Sequence, residues 1–306
     1  MSRKNKGLTF GLLCYLLWGI LPAFWNLMAG ISPFVILCAR VVFALIFMLG
    51  VLAVMGKLGL FWATLRDWRK MRFLVPAAFL IAFNWGLFIW AVNTGQIIYT
   101  SLGYYMNPLM AFVLGVVLFK EKYTVLQLVA VGLALIGLLI SIFAYGRVPV
   151  ISISLALSFA MYGVLKKKAG ADPNASIAIE SLLVTPFALI FAFGFMMDGV
   201  RALGTGEILL LIGGGAATAI PLVLYARAIN DIPFTTVGFL QYIAPTLSII
   251  YGLIIGIRPT ESQIVTIIFI GLALIVFSIA LVRIAKAEPA PGGTPEPPPP
   301  PPRQAG

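Results

Sequence analysis

Ten stretches of roughly twenty apolar residues each run through this chain between residues 7 and 283, and nearly all of its lysines and arginines fall in the gaps. A stretch of that length, wound as a helix at about 1.5 Å per residue, crosses the roughly 30 Å hydrocarbon core of a bilayer. Apolar residues make up 61% of the 306 positions and charged residues only 10%, which leaves too little polar surface to cover a soluble fold. The chain reads as an all-α polytopic membrane protein whose solvent is lipid.

The expected spans are 7–28, 34–55, 72–92, 97–119, 125–144, 148–168, 176–197, 207–228, 235–256 and 262–283. All but four of the 21 basic residues fall on the side of the amino terminus: Arg3, Lys4, Lys6, Lys57, Arg66, Arg69, Lys70, Arg72, Lys120, Lys122, Lys166, Lys167, Lys168, Arg227, Arg283, Lys286 and Arg303. The other side holds Arg147, Arg201 and Arg258, and Arg40 lies inside a span. The positive-inside rule then predicts that both termini are cytoplasmic, in a cell membrane, inner or plasma. Trp25, Trp62 and Trp68, near span ends, read as interfacial anchors. The basic stretch 1–6 is a cytoplasmic amino terminus, and the run that follows is too long for a signal-peptide core. Residues 286–306, proline-rich and without apolar content, read as a disordered cytoplasmic tail.

Several functions fall away on composition. The net charge of +11 is spread over short loops, as membrane topology requires, so no nucleic-acid partner is expected. With no histidine and two cysteines, Cys14 and Cys38, both inside apolar runs, the chain has too few ligands for a metal site and no Ser-His or Cys-His pair. Gly213, Gly214 and Gly215 lack the strand and lysine of a phosphate-binding loop, so neither ATP nor another cofactor is expected, and they read as close-packing positions.

The two halves, 7–144 and 148–285, share an ordered set of matches. Trp18-Gly19 answers Tyr162-Gly163, and Pro33 answers Pro173. Trp90-Ala91, Thr100-Ser101 and Gly103 answer Tyr225-Ala226, Thr235-Thr236 and Gly238 at constant offset; Pro108 answers Pro245, and Gly132 answers Gly271. Five spans per half is an odd number, so the second copy enters the membrane from the opposite side. Inverted repeats can exchange conformations, opening a midplane site to one face and then the other.

The segments Trp18-Gly19-Ile-Leu-Pro22, Asn84-Trp85-Gly-Leu-Phe-Ile-Trp90-Ala-Val-Asn93, Ser101-Leu-Gly103-Tyr104-Tyr-Met-Asn107-Pro108 and Gly238-Phe-Leu-Gln241-Tyr242-Ile-Ala-Pro245, with Arg40 and Ile179-Glu180, give the chain its resemblance to a known family. It resembles the drug/metabolite transporter superfamily with two EamA domains, and within it the RarD-like permeases, over about residues 7–285. The resemblance implies ten helices as two inverted EamA repeats, and a secondary-active permease exporting small metabolites or drugs. A glycine-glutamate pair often follows spans 4 and 9 in that family. Here the positions read Lys120-Glu121 and Gly256-Ile257, which leaves Glu121 without its counterpart. The alternative from another class is a membrane-embedded enzyme acting on a lipid or isoprenoid, which would need a cluster of acids, whereas the ten acids here are scattered.

Candidate substrate-binding or gating residues follow from what lipid penalises. Arg40 and Glu180 are repeat equivalents inside spans 2 and 7, and a charge in hydrocarbon costs at least about 2.5–3.5 kcal/mol unless it faces protein or water. They are expected either as a substrate or gating pair, with Glu180 a candidate acceptor of a coupling proton, or as a structural ion pair. Pro108 and Pro245 should kink their helices and free the carbonyls of Tyr104 and Gln241, with Asn107, Gln241 and Tyr242 alongside as pocket wall. Asn84, Trp85, Trp90 and Asn93 in span 3 could stack on and orient a small amphipathic solute.

Overall fold

The computed structural model of the protein describes residues 2–146, 149–256 and 261–287. Its described residues form thirteen α-helices: α1 (Arg3–Asn26), α2 (Pro33–Val54), α3 (Leu58–Arg66), α4 (Trp68–Asn93), α5 (Ile97–Phe119), α6 (Val125–Tyr145), α7 (Val150–Ala169), α8 (Pro173–Phe195), α9 (Met197–Arg201), α10 (Thr205–Asp231), α11 (Phe234–Leu240), α12 (Ile243–Ile254) and α13 (Glu261–Ala287). Ten spans are long and apolar enough to cross a membrane; α3 and α9 are connectors, and α11 with α12 forms the ninth span. Tail residues 288–306 and Ile257 lie outside the described residues.

Helix ends follow local chemistry. Side-chain oxygens of Ser2, Asp67 and Asp172 accept first-turn N–H groups at the starts of α1, α4 and α8. Thr124 and Gln127 cap α6 reciprocally. Pro33 and Pro173 occupy first positions of α2 and α8, where no amide hydrogen is needed. Several helices outrun the apolar stretches because caps and basic flanks continue the winding, as α4 does from Trp68.

The two equivalent prolines act differently. Pro108 lies within α5, which runs on to Phe119, whereas the ninth span breaks at Gln241 and Tyr242, just before Pro245. The expectation of an open Gln241 carbonyl is corrected. At the break the chain tightens into three-residue turns, and the Ala244 N–H donates to the Gln241 carbonyl at 3.2 Å.

The packing exchanges partners between the halves. α4 lies on α7 as α1 lies on α10; α5 lies on α7 as α1 lies on α11 and α12. α2 pairs with its counterpart α8, and α6 with α13, the last seam tied by a bond between the Ser141 and Thr266 hydroxyls. Each of these contacts joins one half to the other, so the buried core is the interface between the repeats. Ile20, Val54 and Phe143 are among many large apolar side chains left on the outside, as a protein solvated by lipid requires.

The symmetry is incomplete in one respect. α5 lies along α11 but scarcely meets α12, and α2 packs more extensively on α10 than α8 does on α4. The α10–α11 junction sits on the face of the amino terminus, where Arg3 Nε donates to Asp231 Oδ1 at 2.7 Å. Along the seam of the fourth and ninth spans the helices therefore close on that face and part toward the other, the far face, where α12 holds no buried residue, while α2 and α10 stay packed in the far half through Arg40–Thr218 and Gly215–Phe43.

Candidate transport site

The closure on the amino-terminal face centres on Glu121. α5 ends with Lys120 in the left-handed conformation at φ 52°, and the Glu121 N–H folds back to the Gly115 carbonyl at 3.2 Å. That turn aims the Glu121 carboxylate at the start of α11. Its Oε1 accepts from Phe234 N–H at 2.6 Å and from Lys167 Nζ at 2.9 Å, and Oε2 accepts from Thr235 N–H at 2.9 Å. One side chain of the first half thus caps a helix of the second and pairs with the end of α7. Gly115 makes the approach possible, since a Cβ there would lie 2.7 Å from Thr235 Cγ2 and 2.9 Å from Glu121 Oε2. Burial pushes the Glu121 carboxyl up, but the hydrogen bonds from Thr235, Lys167 and Phe234, with the Lys167 charge, hold it below the ordinary carboxylate value.

Glu180 sits one layer deeper. Its carboxylate is paired with Lys166, Nζ to Oε1 at 2.7 Å, and accepts from the Tyr162 hydroxyl at 3.0 Å. Lys166 also donates to Ser176 Oγ at 2.6 Å, and both charged side chains are almost wholly buried. The expected pairing of Glu180 with Arg40 is therefore corrected. Each lies about 10 Å from its own end of an antiparallel helix, Arg40 from the far face and Glu180 from the amino-terminal face, so opposite depths keep them apart. By sequence Lys166 reads only as part of a basic run marking topology. Its place one helical turn after Tyr162, in the repeat match, was the available signal that it points inward.

Between these levels α2, α4, α8 and α10 enclose a cavity lined by Val41, Trp85, Glu180, Ser181, Thr218 and Leu222, among others. Its room for the centre of a water-sized sphere is about 20 Å³, enough for one or two waters and too little for a metabolite.

On the far side of that cavity Arg40 Nε donates to Thr218 Oγ1 at 2.9 Å. The guanidinium carbon lies 4.5 Å from the Trp25 ring centre and 4.6 Å from that of Trp85. Tyr104 is half exposed on α5, its ring centre 5.6 Å from that of Phe88. Trp25, expected as an interfacial anchor, is spent on the contact with Arg40. Of the α10 glycines only Gly215 is required by close approach, since a Cβ there would overlap the backbone of Phe43, whereas one on Gly214 would meet the Trp25 ring and the Arg40 stem at ordinary contact distance.

The other candidates divide. Asn84 is buried and ties α4 to α7, donating to the Leu155 carbonyl at 2.8 Å and Ser158 Oγ at 2.9 Å. Asn93 is exposed and donates to Ile89 of its own helix, and Trp90 is half exposed. Asn107, Gln241 and Tyr242 are buried where α5 meets the ninth span; the Tyr242 hydroxyl donates to the Tyr105 carbonyl at 3.2 Å, while Asn107 Oδ1 has no partner among the described residues. The structure thus brings Arg40 and Trp85 together, with Trp25 and Thr218, and places Glu180 across the small cavity.

Comparison with known proteins agrees with this architecture. The model of the EamA-like transporter family matches twice, at residues 5–143 and 149–279. The uncharacterized transporter YojE of Bacillus subtilis is 36% identical over 291 residues, covering 94% of this chain and 98% of that protein. Protein RarD of Escherichia coli is 34% identical over 280 residues, covering 90% and 95%. The chloramphenicol-sensitive protein RarD of Pseudomonas aeruginosa is 28% identical over 258 residues, covering 81% and 84%. One solved crystal structure shares the fold, with a TM-score of 0.73 at 17% identity over 92% of this chain and all of that one. Relatives named as transporters displace the lipid-enzyme alternative, and two matched repeats spanning nearly all the described residues settle the family. The chain belongs to the EamA-like transporter family of multi-pass membrane transporters.

Proposed function

We propose that this transporter is secondary-active and exports a small metabolite or drug by alternating access through the seam between its repeats, with both termini cytoplasmic. The observation that carries the reading is the asymmetry of α5, packed along α11 on the amino-terminal face and parted from α12 toward the far face. In an inverted repeat the mirror arrangement is built from equivalent parts, so closing one seam while opening the other exchanges the accessible face. The weight of basic residues on the amino-terminal face supports its cytoplasmic placement, which makes the closed seam the inner gate. Glu121 with Lys167 and the start of α11 is that gate. Glu180, which lines the cavity, is the acceptor of a coupling proton, and its bond to Lys166 must yield when the proton arrives. The relative named for chloramphenicol sensitivity supports a drug or a metabolite of similar size as cargo. Export is tested by comparing metabolites released from cells with and without the protein, then reconstituting it in liposomes with the labelled compounds that differ. Accumulation of an unchanged solute against its gradient, driven by an imposed pH gradient, is the expected result. Chemical conversion of the solute, or no dependence on the protein, would overturn it.

A further inference from the structure

The Arg40 site carries more than a place in the pathway. Among the described residues none of the carboxylates pairs with Arg40: Glu180 is taken by Lys166, Glu121 by Lys167 and Asp231 by Arg3. Its Nε is committed to Thr218, and the indoles of Trp25 and Trp85 flank its planar group. No hydrogen bond within the described residues takes the remaining Nη groups, and the side chain is only half-buried. A guanidinium fixed at Nε and stacked on aromatic rings presents a rigid fork of N–H donors, the geometry that fits two oxygens of one anionic group. A cation placed at this depth without a counter-charge is retained in a membrane protein chiefly where a ligand or pathway uses it. The aromatic rings beside it offer area to an apolar or aromatic body.

We infer that the solute is an amphipathic anion, whose carboxylate or other two-oxygen acid group docks on the Nη edge of Arg40 while its apolar body lies against Trp25 and Trp85. The inference rests on the transport reading and narrows its cargo to organic acids over neutral or cationic compounds. Thr218 and Trp25 act as positioning residues, holding the guanidinium in one plane.

The test is a binding titration on the purified full-length protein in detergent, following tryptophan fluorescence, with phenylacetate, phenylphosphonate, phenylacetamide and phenethylamine as probes that share a phenyl ring. At least one of the two acids should bind at least about tenfold more tightly than the amide and the amine. Arg40→Gln should erase that preference while leaving the weak binding of the amide, and Arg40→Lys should restore part of it as a point charge. A preference for phenylacetate assigns a carboxylate, and one for phenylphosphonate assigns a phosphate or phosphonate. Equal binding of all four probes, no binding by any, or an acid preference that survives Arg40→Gln would overturn the inference. The four-probe comparison needs no variant, so a misfolded Arg40→Gln protein does not rescue the idea. Binding in detergent does not depend on transport, so acid selectivity without movement across liposomes would count against the transport reading alone.

Discussion

Lys120 holds a left-handed backbone that glycine adopts without penalty, and it does so to turn Glu121 toward α11. Lys120→Gly is therefore expected to stabilise the protein by about 1 kcal/mol, seen as a higher unfolding temperature in detergent; an unchanged or lower temperature would count against strain at this turn. Glu180→Gln leaves the Lys166 ammonium buried without its counter-charge and should cost about 3–5 kcal/mol in the same measurement. Adding Lys166→Met should recover most of that loss, and the double variant, once folded, should move solute without responding to a pH gradient. A double variant whose transport still follows the pH gradient would remove Glu180 from proton coupling. Arg40, Glu180, Trp85 and Tyr104 were legible as candidates because lipid penalises polar groups that do no work. Their partners were not. Lys166 was hidden in a run of three lysines that topology alone accounts for, and Trp25 in a position where any membrane protein has an aromatic.

At the scale of elements, the spans were legible within a turn because bilayer thickness fixes their length and the caps lie in the polar gaps. The break in the ninth span was foreshadowed by Pro245, but the same signal at Pro108 produced no break, since a proline's effect depends on how neighbours satisfy the backbone it disturbs. The seam of α5 with α11 depends on contacts between halves that no local pattern reports. It is held by a carboxylate whose folded value is depressed, so its stabilisation is full above the unfolded value near pH 4.3 and disappears as pH falls through the lower folded one. The stability gap between the wild type and Glu121→Gln should then be constant above about pH 5 and close below about pH 4. A gap that widens on acidification would show that the carboxylate is not what the seam uses.

At the scale of the whole molecule, inverted repeats whose core is their mutual interface can change which face is open without unfolding either half. Replacing Cys14 and Cys38 gives a background without cysteines for locating the faces. A cysteine placed near Gly204 should react with an impermeant maleimide from outside the cell and one near Gly170 should not; labelling of both from one side would break the topology. The most direct test of alternating access is the distance between spin labels at Lys122, beside Glu121, and at Lys6, whose neighbour Gly7 packs against Asp231 and Ile232 at the α10–α11 junction. In nanodiscs at neutral pH the distance distribution should hold a major short population, the closed seam, and a minor longer one that grows on Glu121→Gln. A single short distance, the same in both proteins, would make this seam a fixed joint and contradict a gate on the amino-terminal face.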